Sequence, residues 1–476
     1  MSTSSINPLS SLDTGLSTTS TGSTTSGTGL GQGINVQQFV QFAVANQQAN
    51  ITALETQQTS LGSQNTEIST IASDLNALQT AAQALSNPLG ALNAELATSS
   101  NSSALSATAT GSASSGAHTI SIANLATTSS YYSDQAASAT TALATGDTLS
   151  ITVGGNSTPV ATITTSSTLS NLSEIAAAIN QQTTAVQASV ITDATGSRLA
   201  LVSSTSGAPG AIGVTGSLHL TDTNNTALAF HVASAGVNAS LTVDGVPVTS
   251  TSNTVSGAIN GVSLTLTAPT LVNNVDTPVS LTVAPDSSQA TSAINSFVSA
   301  YNSVVTEINN QFNVASNGTG GGVLESDNSL QQVQSLILGA ASYSLTGNNG
   351  IVNLASIGVN LNNDGTLSVD NSALSSALSS NFSAVQNLFQ NATTGFAQNL
   401  NTVINTVSGP GNGILTLDSQ SNSTTAQSIG QQVSDLQAAL VAQEQSLTTL
   451  YSQVNTTLQE LPLLQNQLTQ QLAGIP

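Results

Sequence analysis

Residues 433–468, VSDLQAALVAQEQSLTTLYSQVNTTLQELPLLQNQL, carry the pattern from which the organisation of the whole chain follows. Apolar residues recur every seven positions in one row, and a second row fills most of the positions between them. Such a double row over several heptads predicts a long helix that packs against partner helices in a coiled coil. The first row is Val433, Leu440, Leu447, Val454, Leu461 and Leu468, and the second is Ile429, Leu436, Leu450 and Leu464.

Polar residues and a proline interrupt this helix. Gln443, Thr457 and Gln471 stand in the second row, where polar residues lower stability but fix register or oligomer state. Pro462 lacks the N–H that would bond the carbonyl of Leu458, so we expect a kink or a break there. An ordinary amphipathic helix packed in its own domain is the alternative, but the length of the stripe favours a helix used in assembly.

A matching pattern near the other end of the chain predicts the partner helix. We expect it to begin at an Asn35 N-cap and to end at Asn87-Pro88. Two heptad helices at opposite ends predict an antiparallel or bundled stalk that carries the middle of the chain. One row is Leu54, Leu61, Ile68, Leu75 and Ala82, and the other is Ile71, Leu78 and Leu85.

Charge is nearly absent from the 476-residue chain, which is long enough for several domains of roughly 100–200 residues each. Charged residues make up 5% of it, against about 25% in typical soluble proteins. Of these, 22 are acidic and one, Arg198, is basic, so the net charge is -21. Because nucleic acids and anionic membranes are bound through Lys/Arg clusters, we expect neither as a partner. The absence of cysteine excludes disulfides and thiolate metal sites.

The first residues, Met1–Thr28, are almost all Ser, Thr and Gly. They lack the basic and apolar regions of a secretory signal peptide, and no apolar run reaches transmembrane length. Because this tail has too little apolar surface to offset the entropy of ordering, we expect it to be disordered. A chain of this composition without such signals is either cytoplasmic or exported by a dedicated machine.

The middle of the chain alternates between apolar and polar residues instead of repeating helically. Alternation and β-branching predict strands from about Leu105 to Val283, interrupted by one helix that Ser170 or Asn171 caps. Helical patterns return at Gln289. The fold class is therefore α+β multidomain, with terminal heptad helices forming a coiled-coil or helical-bundle stalk and one or two inserted antiparallel β-rich head domains.

None of the motifs points to catalysis or metal binding. Residues 360–365, NLNNDG, resemble the front of a calcium loop, but Asn371 stands where that loop requires Glu, so a hairpin turn is favoured. His118, His219 and His231 have no cluster of ligands at metal-site spacing. We therefore expect no catalytic, cofactor-binding or metal site, no cofactor and no enzymatic activity.

Several stretches, in order along the chain, resemble the bacterial flagellar filament cap family, also called hook-associated protein 2. No single stretch is specific, but the ordered set is, and it runs from Gly29 almost to the end of the chain. The stretches are Gly29–Val36, Val243–Gly245, Ser252–Val255, Ile259–Leu266, Phe297–Asn302, Leu324–Leu330, Ile357–Val359, Asp364–Asp370 and Gln443–Leu458.

The resemblance implies a ring homo-oligomer at the extracellular tip of the flagellum, which holds exported flagellin while it folds and polymerises. Terminal helices would serve as legs and β domains as a head plate. The implied partners are flagellin, further copies of the chain, an export chaperone and the type III export apparatus, without membrane insertion. The apolar residues expected in leg packing are Val433, Leu436, Leu440, Leu447, Leu450, Val454, Leu461, Leu464, Leu468, Leu54, Leu61, Ile68 and Leu75.

The expected domain order nests one β-rich domain inside another, and both inside the helices. The ranges are 1–28 for the tail, 29–50 for an N-terminal leg segment, 51–104 plus 286–425 for a helical core, 105–144 plus 215–285 for a β-rich head, 145–214 for an inserted β-rich head, and 426–476 for the C-terminal leg.

Three other functions and one further hypothesis remain at this point. A flagellin or another hook-associated protein would share the terminal heptads, and a Ser/Thr-rich adhesin would share the polar β-rich middle. The near absence of bases also suggests tolerance of an acidic exterior, since protonation of carboxylates would break few ion pairs. The alternative explanation is the composition typical of the lineage.

Overall fold

A computed structural model describes residues 35–313 and 321–473 of the chain. The tail that the sequence predicts to be disordered, Met1–Thr28, lies outside these residues. The chain divides into two compact units, one within residues 1–69 and 417–476 and the other within residues 70–416.

The helices begin and end close to the predicted positions. The Asn35 side chain accepts a hydrogen bond from the Gln38 N–H at 3.2 Å, and the first helix ends before Asn87-Pro88, so both predicted boundaries are confirmed. The helices of the described residues are α1 (Val36–Ser86), α2 (Leu172–Gln182), α3 (Ser287–Phe312), α4 (Asn328–Ala341), α5 (Asn371–Ser380), α6 (Phe382–Gln390), α7 (Phe396–Ser408) and α8 (Ile414–Ala473).

The last helix, α8, runs through Pro462 without interruption. Of the kink or break expected at Pro462, the break is therefore wrong. Proline removes one backbone hydrogen bond, and this region of α8 is exposed, with Leu461 and Leu463 at 44% and 67%. Water can reach the carbonyl that the missing N–H leaves unbonded, so the loss of one bond is tolerated.

Strands fill the predicted middle region. They are β1 (Glu95–Ser99), β2 (Leu105–Ala109), β3 (Gly116–Asn124), β4 (Thr128–Ser133), β5 (Thr148–Val153), β6 (Ala161–Thr164), β7 (Val186–Asp193), β8 (Gly196–Ser206), β9 (Ile212–Gly216), β10 (Leu218–His219), β11 (Ala227–Leu228), β12 (Phe230–Ser234), β13 (Ala239–Val243), β14 (Val246–Ser250), β15 (Thr254–Ile259), β16 (Val262–Leu266), β17 (Leu271–Val272), β18 (Val275–Asp276) and β19 (Val279–Pro285), with β20 (Val359–Leu361) and β21 (Leu367–Val369) between the later helices.

Two antiparallel sheets form a first β-rich body, called body A here. Their strand orders are β1-β19-β3-β13-β14 and β15-β16-β2. The register places Ile122 beside Leu241 and Ile120 beside Val279, so alternate apolar residues point into one core. Its fully buried residues include Leu105, Ile120, Ile122, Leu241, Leu264 and Leu281.

A second β-rich body, body B, combines the sheets β12-β4-β8-β7 and β6-β5-β9 with α2. Asn171 caps α2 by accepting the Glu174 N–H at 3.1 Å, which decides between the two candidate caps. Asn180 of α2 bonds both the N–H and the carbonyl of Ala188 at 2.8 Å each. Because β7 is an edge strand, these two bonds occupy backbone groups that could otherwise pair with another strand.

The two bodies include strands that the expected ranges assign elsewhere. β1 lies within 51–104, the range expected for the helical core, but pairs with β19 of body A. β4 and β12 lie within the ranges expected for the first head, but pair with β8 and β4 in body B. Short strands carry too little alternation to reveal a partner that is distant in sequence, and the pairing decides where they belong.

Helices α3 to α7, together with residues 70–86 of α1, form the helical part of the second unit. Asp286 caps α3 by accepting the N–H groups of Ser288 and Gln289 at 3.0 and 3.1 Å. The Phe396 ring packs edge-on against Phe297 and Phe389, with centroids 5.4 and 5.8 Å away. The hairpin predicted at residues 360–365 is confirmed by the pairing of β20 with β21.

We expect Tyr301→Phe to raise the free energy of unfolding by about 1 kcal/mol, because a buried unpaired polar group costs about 1–3 kcal/mol. Tyr301 is fully buried, and its hydroxyl makes no hydrogen bond to any residue that the structure describes. Tyr343→Phe is the matched control, since the Tyr343 hydroxyl donates to the Thr394 carbonyl at 3.1 Å and its loss should not stabilise. Denaturant unfolding measures both; a loss of stability in Tyr301→Phe would contradict the expectation.

Candidate functional site

The terminal segments of the chain pair with each other in the first unit. The two segments are residues 36–69 of α1 and residues 417–473 of α8. They run antiparallel, because the start of α1 contacts a late part of α8 and a later part of α1 contacts the start of α8. The rings of Phe39 and Tyr451 lie 5.8 Å apart, and Asn65 donates to the Ser423 hydroxyl at 3.0 Å. The antiparallel form of the predicted stalk is therefore present within a single chain.

An apolar seam holds these two segments together. Its buried members are 1% to 8% exposed, and three further residues pack against them while partly buried. Removing this apolar surface from water is the main favourable contribution that a pair with no cationic side chain can make. The buried members are Val44, Ile51, Ile429, Val433 and Leu440, and the partly buried ones are Leu54, Leu61 and Leu447.

Neutral amide groups supply the polar contacts across the same pair. Gln58 donates to the Ala426 carbonyl at 3.2 Å. A Cβ on Gly430 would lie 2.8 Å from the Gln58 amide nitrogen, so glycine at this helix position makes room for that side chain. Gln437 donates to the Glu55 carboxylate at 3.1 Å.

Six of the residues predicted for leg packing are exposed in the single chain. All six lie on α8, and the last four come after Tyr451. Tyr451 contacts Phe39, close to Val36, where the described part of α1 begins. The intrachain pair therefore uses only the first part of the heptad pattern. The exposed fractions are 39% for Leu436, 53% for Leu450, 41% for Val454, 44% for Leu461, 60% for Leu464 and 58% for Leu468.

Of the remaining predicted residues, Leu54, Leu61 and Leu447 are partly buried and the others are buried, and the structure adds further residues. Ile68 and Leu75 are 3% and 0% exposed, and Leu75 belongs to the helical part of the second unit. The prediction missed Val44 and Ile51, which are core members of the seam. Val44 and Ile51 belong to a heptad row that continues with Gln58 and Asn65. Because the second half of this row is polar, the sequence pattern did not mark its first half as apolar.

All cationic or potentially cationic side chains lie in the β-rich bodies. The chain has one Arg, no Lys and three His, located between His118 and His231. Each histidine contacts an aspartate that is distant in sequence: His118 with Asp244 at 2.8 Å, His219 with Asp147 at 3.1 Å and His231 with Asp134 at 2.8 Å. The hydrogen bond from His231 lowers the pKa of Asp134, and that from His118 lowers the pKa of Asp244.

One carboxyl group in the helical part has a raised pKa instead of a lowered one. Burial raises the pKa of Asp74 on α1, and the negative charge of Glu307 on α3 raises it further. No base exists in the sequence of this part to offset the repulsion. Deprotonated Asp74 is therefore a source of instability near neutral pH.

Other functional features are absent from the described part of the chain. Across residues 35–313 and 321–473, no group of three or more His, Cys, Asp or Glu is placed to hold a metal ion. None of the helices in those same ranges has the length and apolar character needed to cross a membrane. Terminal helices that pair with each other and leave an apolar row exposed, in a chain that also contains β-rich bodies, are typical of a structural assembly protein.

Three family matches cover most of the chain. Residues 32–129 match the N-terminus of flagellar hook-associated protein 2, residues 236–462 match its C-terminus, and residues 148–205 match the flagellin hook IN motif. The chain belongs to the flagellar hook-associated protein 2 family. Members of this family are flagellar filament cap proteins rather than enzymes, which does not favour the adhesin alternative.

Individual relatives agree with the family matches. The B-type flagellar hook-associated protein 2 of Pseudomonas aeruginosa is 32% identical over 428 residues, 85% of this chain and 88% of that protein. Flagellar hook-associated protein 2 of Escherichia coli is 30% identical over 75% of this chain and 78% of its own length. The crystal structure of the flagellar cap protein FliD from Escherichia coli superposes with a TM-score of 0.55 and 30% identity, covering 75% of this chain and 99% of that one.

We expect Leu440→Ala to lower the free energy of unfolding by about 2–3 kcal/mol, because it opens a cavity in the seam. Leu464→Ala is the matched control, and we expect a change within about 0.5 kcal/mol, since that side chain is 60% exposed. Denaturant unfolding at high dilution isolates the effect on the single chain. Equal losses in the two variants would contradict the packing described.

The two kinds of aspartate should respond oppositely to pH. A lowered folded-state pKa contributes stability above the ordinary pKa and loses it as pH falls through the lowered value, whereas a raised one adds stability as pH falls through the raised value. At pH 7 we therefore expect Asp74→Asn to raise the free energy of unfolding and Asp134→Asn to lower it, each by less than about 1 kcal/mol because both groups are partly exposed. Thermal unfolding at several pH values measures both. The two differences should shrink as the carboxyl groups become protonated at low pH, and changes of the same sign at pH 7 would contradict the expectation.

Proposed function

We propose that this protein caps the distal tip of a bacterial flagellar filament as a ring of identical subunits. In that position it holds exported flagellin while each new subunit folds and joins the filament. The observation that carries the proposal is membership of the cap family along almost the whole chain, from residue 32 to residue 462. The work is mechanical, so it needs surfaces and not catalytic groups.

The exposed apolar row of α8 is the surface that suits the legs of such a ring. Leu450, Leu464 and Leu468 are each more than half exposed, although they occupy positions that a coiled coil buries. Exposed apolar rows of this kind mark contacts with another protein. We assign these residues to packing between legs of neighbouring subunits and against the filament end.

The neutral character of the row also fits its function. Legs that move from site to site as the filament grows must release each contact. The seam of the single chain already mixes apolar residues with amides such as Gln58 and Asn65, and polar residues at these positions lower the stability of helix pairing. Moderate affinity is therefore built into the pattern.

The strand pairing supports a division of the chain into legs, a helical core and two heads. We propose that body A and body B are the two heads, with body B inserted into body A between β3 and β13. We further propose export by the flagellar type III route with a dedicated chaperone, and we assign to Met1–Thr28 the role of leading end. Secretion that is unaffected by deletion of this tail would remove that assignment.

Filament growth tests the function. In cells that lack their own cap protein, the wild-type chain should restore long filaments. A variant with Leu450, Leu464 and Leu468 changed to Ser should leave short filaments and release flagellin into the medium. The matched control is Ile191→Ser on β7, which is 60% exposed but lies outside the legs. Normal growth with the triple variant would reject the leg assignment, and failure of the wild type with a matched flagellin would reject the cap function.

A further inference from the structure

Body A carries an exposed apolar hairpin. Strands β17 and β18 pair directly, and their turn places Asn273 and Asn274 at positive φ, 53° and 63°, as two-residue hairpins require. Leu271, Val272 and Val275 are 40%, 56% and 63% exposed. Three large apolar side chains in a six-residue hairpin make a compact apolar projection.

Hydrogen bonds hold this hairpin firmly on body A. The Ile122 N–H donates to the Thr270 hydroxyl at 2.7 Å, and the Thr270 N–H donates to the Ile122 carbonyl at 2.8 Å. Asp276 accepts from the hydroxyls of Ser121 and Thr270 at 2.6 and 2.9 Å. Asp276, the one charged residue of the hairpin, is thereby tied to body A, and the exposed Leu271, Val272 and Val275 lie beside the Asn273-Asn274 turn.

The same body contains an apolar pocket of about 420 Å³. Its walls include Val243, Val246, Val248, Ala258 and Ile259, from the β13-β14 and β15-β16 hairpins. Val243 and Ile259 are buried at 7% and 8% exposure, whereas Val246 is 62% exposed. A concave apolar site with one exposed apolar side chain is suited to receive another apolar side chain.

The His118–Asp244 pair in the wall of the pocket is already engaged. The His118 ring bonds Asp244 at 2.8 Å, and Asp244 also accepts the Thr119 N–H at 2.8 Å. Insertion of an aliphatic side chain would therefore displace no polar partner from this pair. The chemistry favours an apolar protein side chain over a charged small molecule.

A second copy of the chain can supply that side chain. The exposure of Leu271, Val272 and Val275 shows that the hairpin does not fill the pocket of its own chain. With one Arg and no Lys, contacts between copies cannot rely on ion pairs, so exposed apolar groups must carry them. A projection and a cavity at different places on one body make a head-to-tail contact, and such contacts form a ring when the rotation between neighbouring subunits closes.

We propose that the β17-β18 hairpin of one subunit inserts into the pocket of body A of the next subunit. This contact rests on the proposed ring and adds a head-to-head joint to the contacts between legs. The apolar side chains of the hairpin meet the valine and isoleucine walls of the pocket, and the contact repeats once per subunit around the ring.

The absence of cysteine makes a direct test possible. Full-length Val272→Cys is mixed with full-length Val246→Cys and treated with a short bismaleimide, which links two cysteines that lie close together. We expect a cross-linked heterodimer, formed at least about tenfold faster than in a mixture of Val202→Cys with Val246→Cys. Val202 is a fair control because it is 41% exposed but lies on β8 of body B.

A chain carrying both Val272→Cys and Val246→Cys extends the test. If the contact closes a ring, the cross-linked species should form a ladder that stops at the subunit number of the ring. Cross-linking no faster than in the Val202→Cys mixture would overturn the contact. Filament growth by the same variants before cross-linking reports the cap function separately, so failure of the contact and failure of the function are distinguishable.

Discussion

The near absence of positive charge is the constraint on which the rest of the structure depends. A helical part without a single base cannot use ion pairs, so apolar burial and neutral hydrogen bonds have to hold it. Asn348 shows how: its amide nitrogen donates to the carbonyls of Ile351 and Ala384 at 2.8 Å each, and its oxygen accepts from Asn387 at 3.0 Å. Amides can satisfy buried backbone groups without the desolvation penalty that a charge would bring.

The same constraint separates the pH responses of the two structural regions. The β-rich bodies contain every histidine and the arginine, and each histidine contacts an aspartate. The helical part has no basic side chain. Protonation of Asp74 there removes its repulsion from Glu307, whereas protonation of Asp286 and Asp364, whose pKa values are lowered, costs stability. Tolerance of an acidic exterior therefore stays a hypothesis, which rests on the small number of ion pairs that acid could break.

The terminal helices combine two uses of one heptad pattern. Its first part, around Val433 and Leu440, is buried against α1 of the same chain, and its last part, around Leu464 and Leu468, stays exposed. A fully apolar seam would hold the two helices together tightly, whereas polar residues such as Gln58 and Asn65 in the seam lower the affinity of one helix for the other. The arrangement is what a reversible structural assembly needs, and it requires no catalytic chemistry.

Local signals in the sequence were sufficient for the features that depend on residues a few positions apart. They include the ends of α1 at Asn35 and Asn87, the hairpin between β20 and β21, the α+β class and the family resemblance, since caps, turns and periodicity are local properties. The tertiary structure alone decided which strands pair, which heptad residues are buried and which aspartate each histidine meets. β1 joins β19, and Asp134 meets His231, only because distant segments fold side by side. The local alternation of apolar and polar residues does not specify which distant strand is the partner. The sequence therefore could not predict the extent of the two bodies or the apolar pocket.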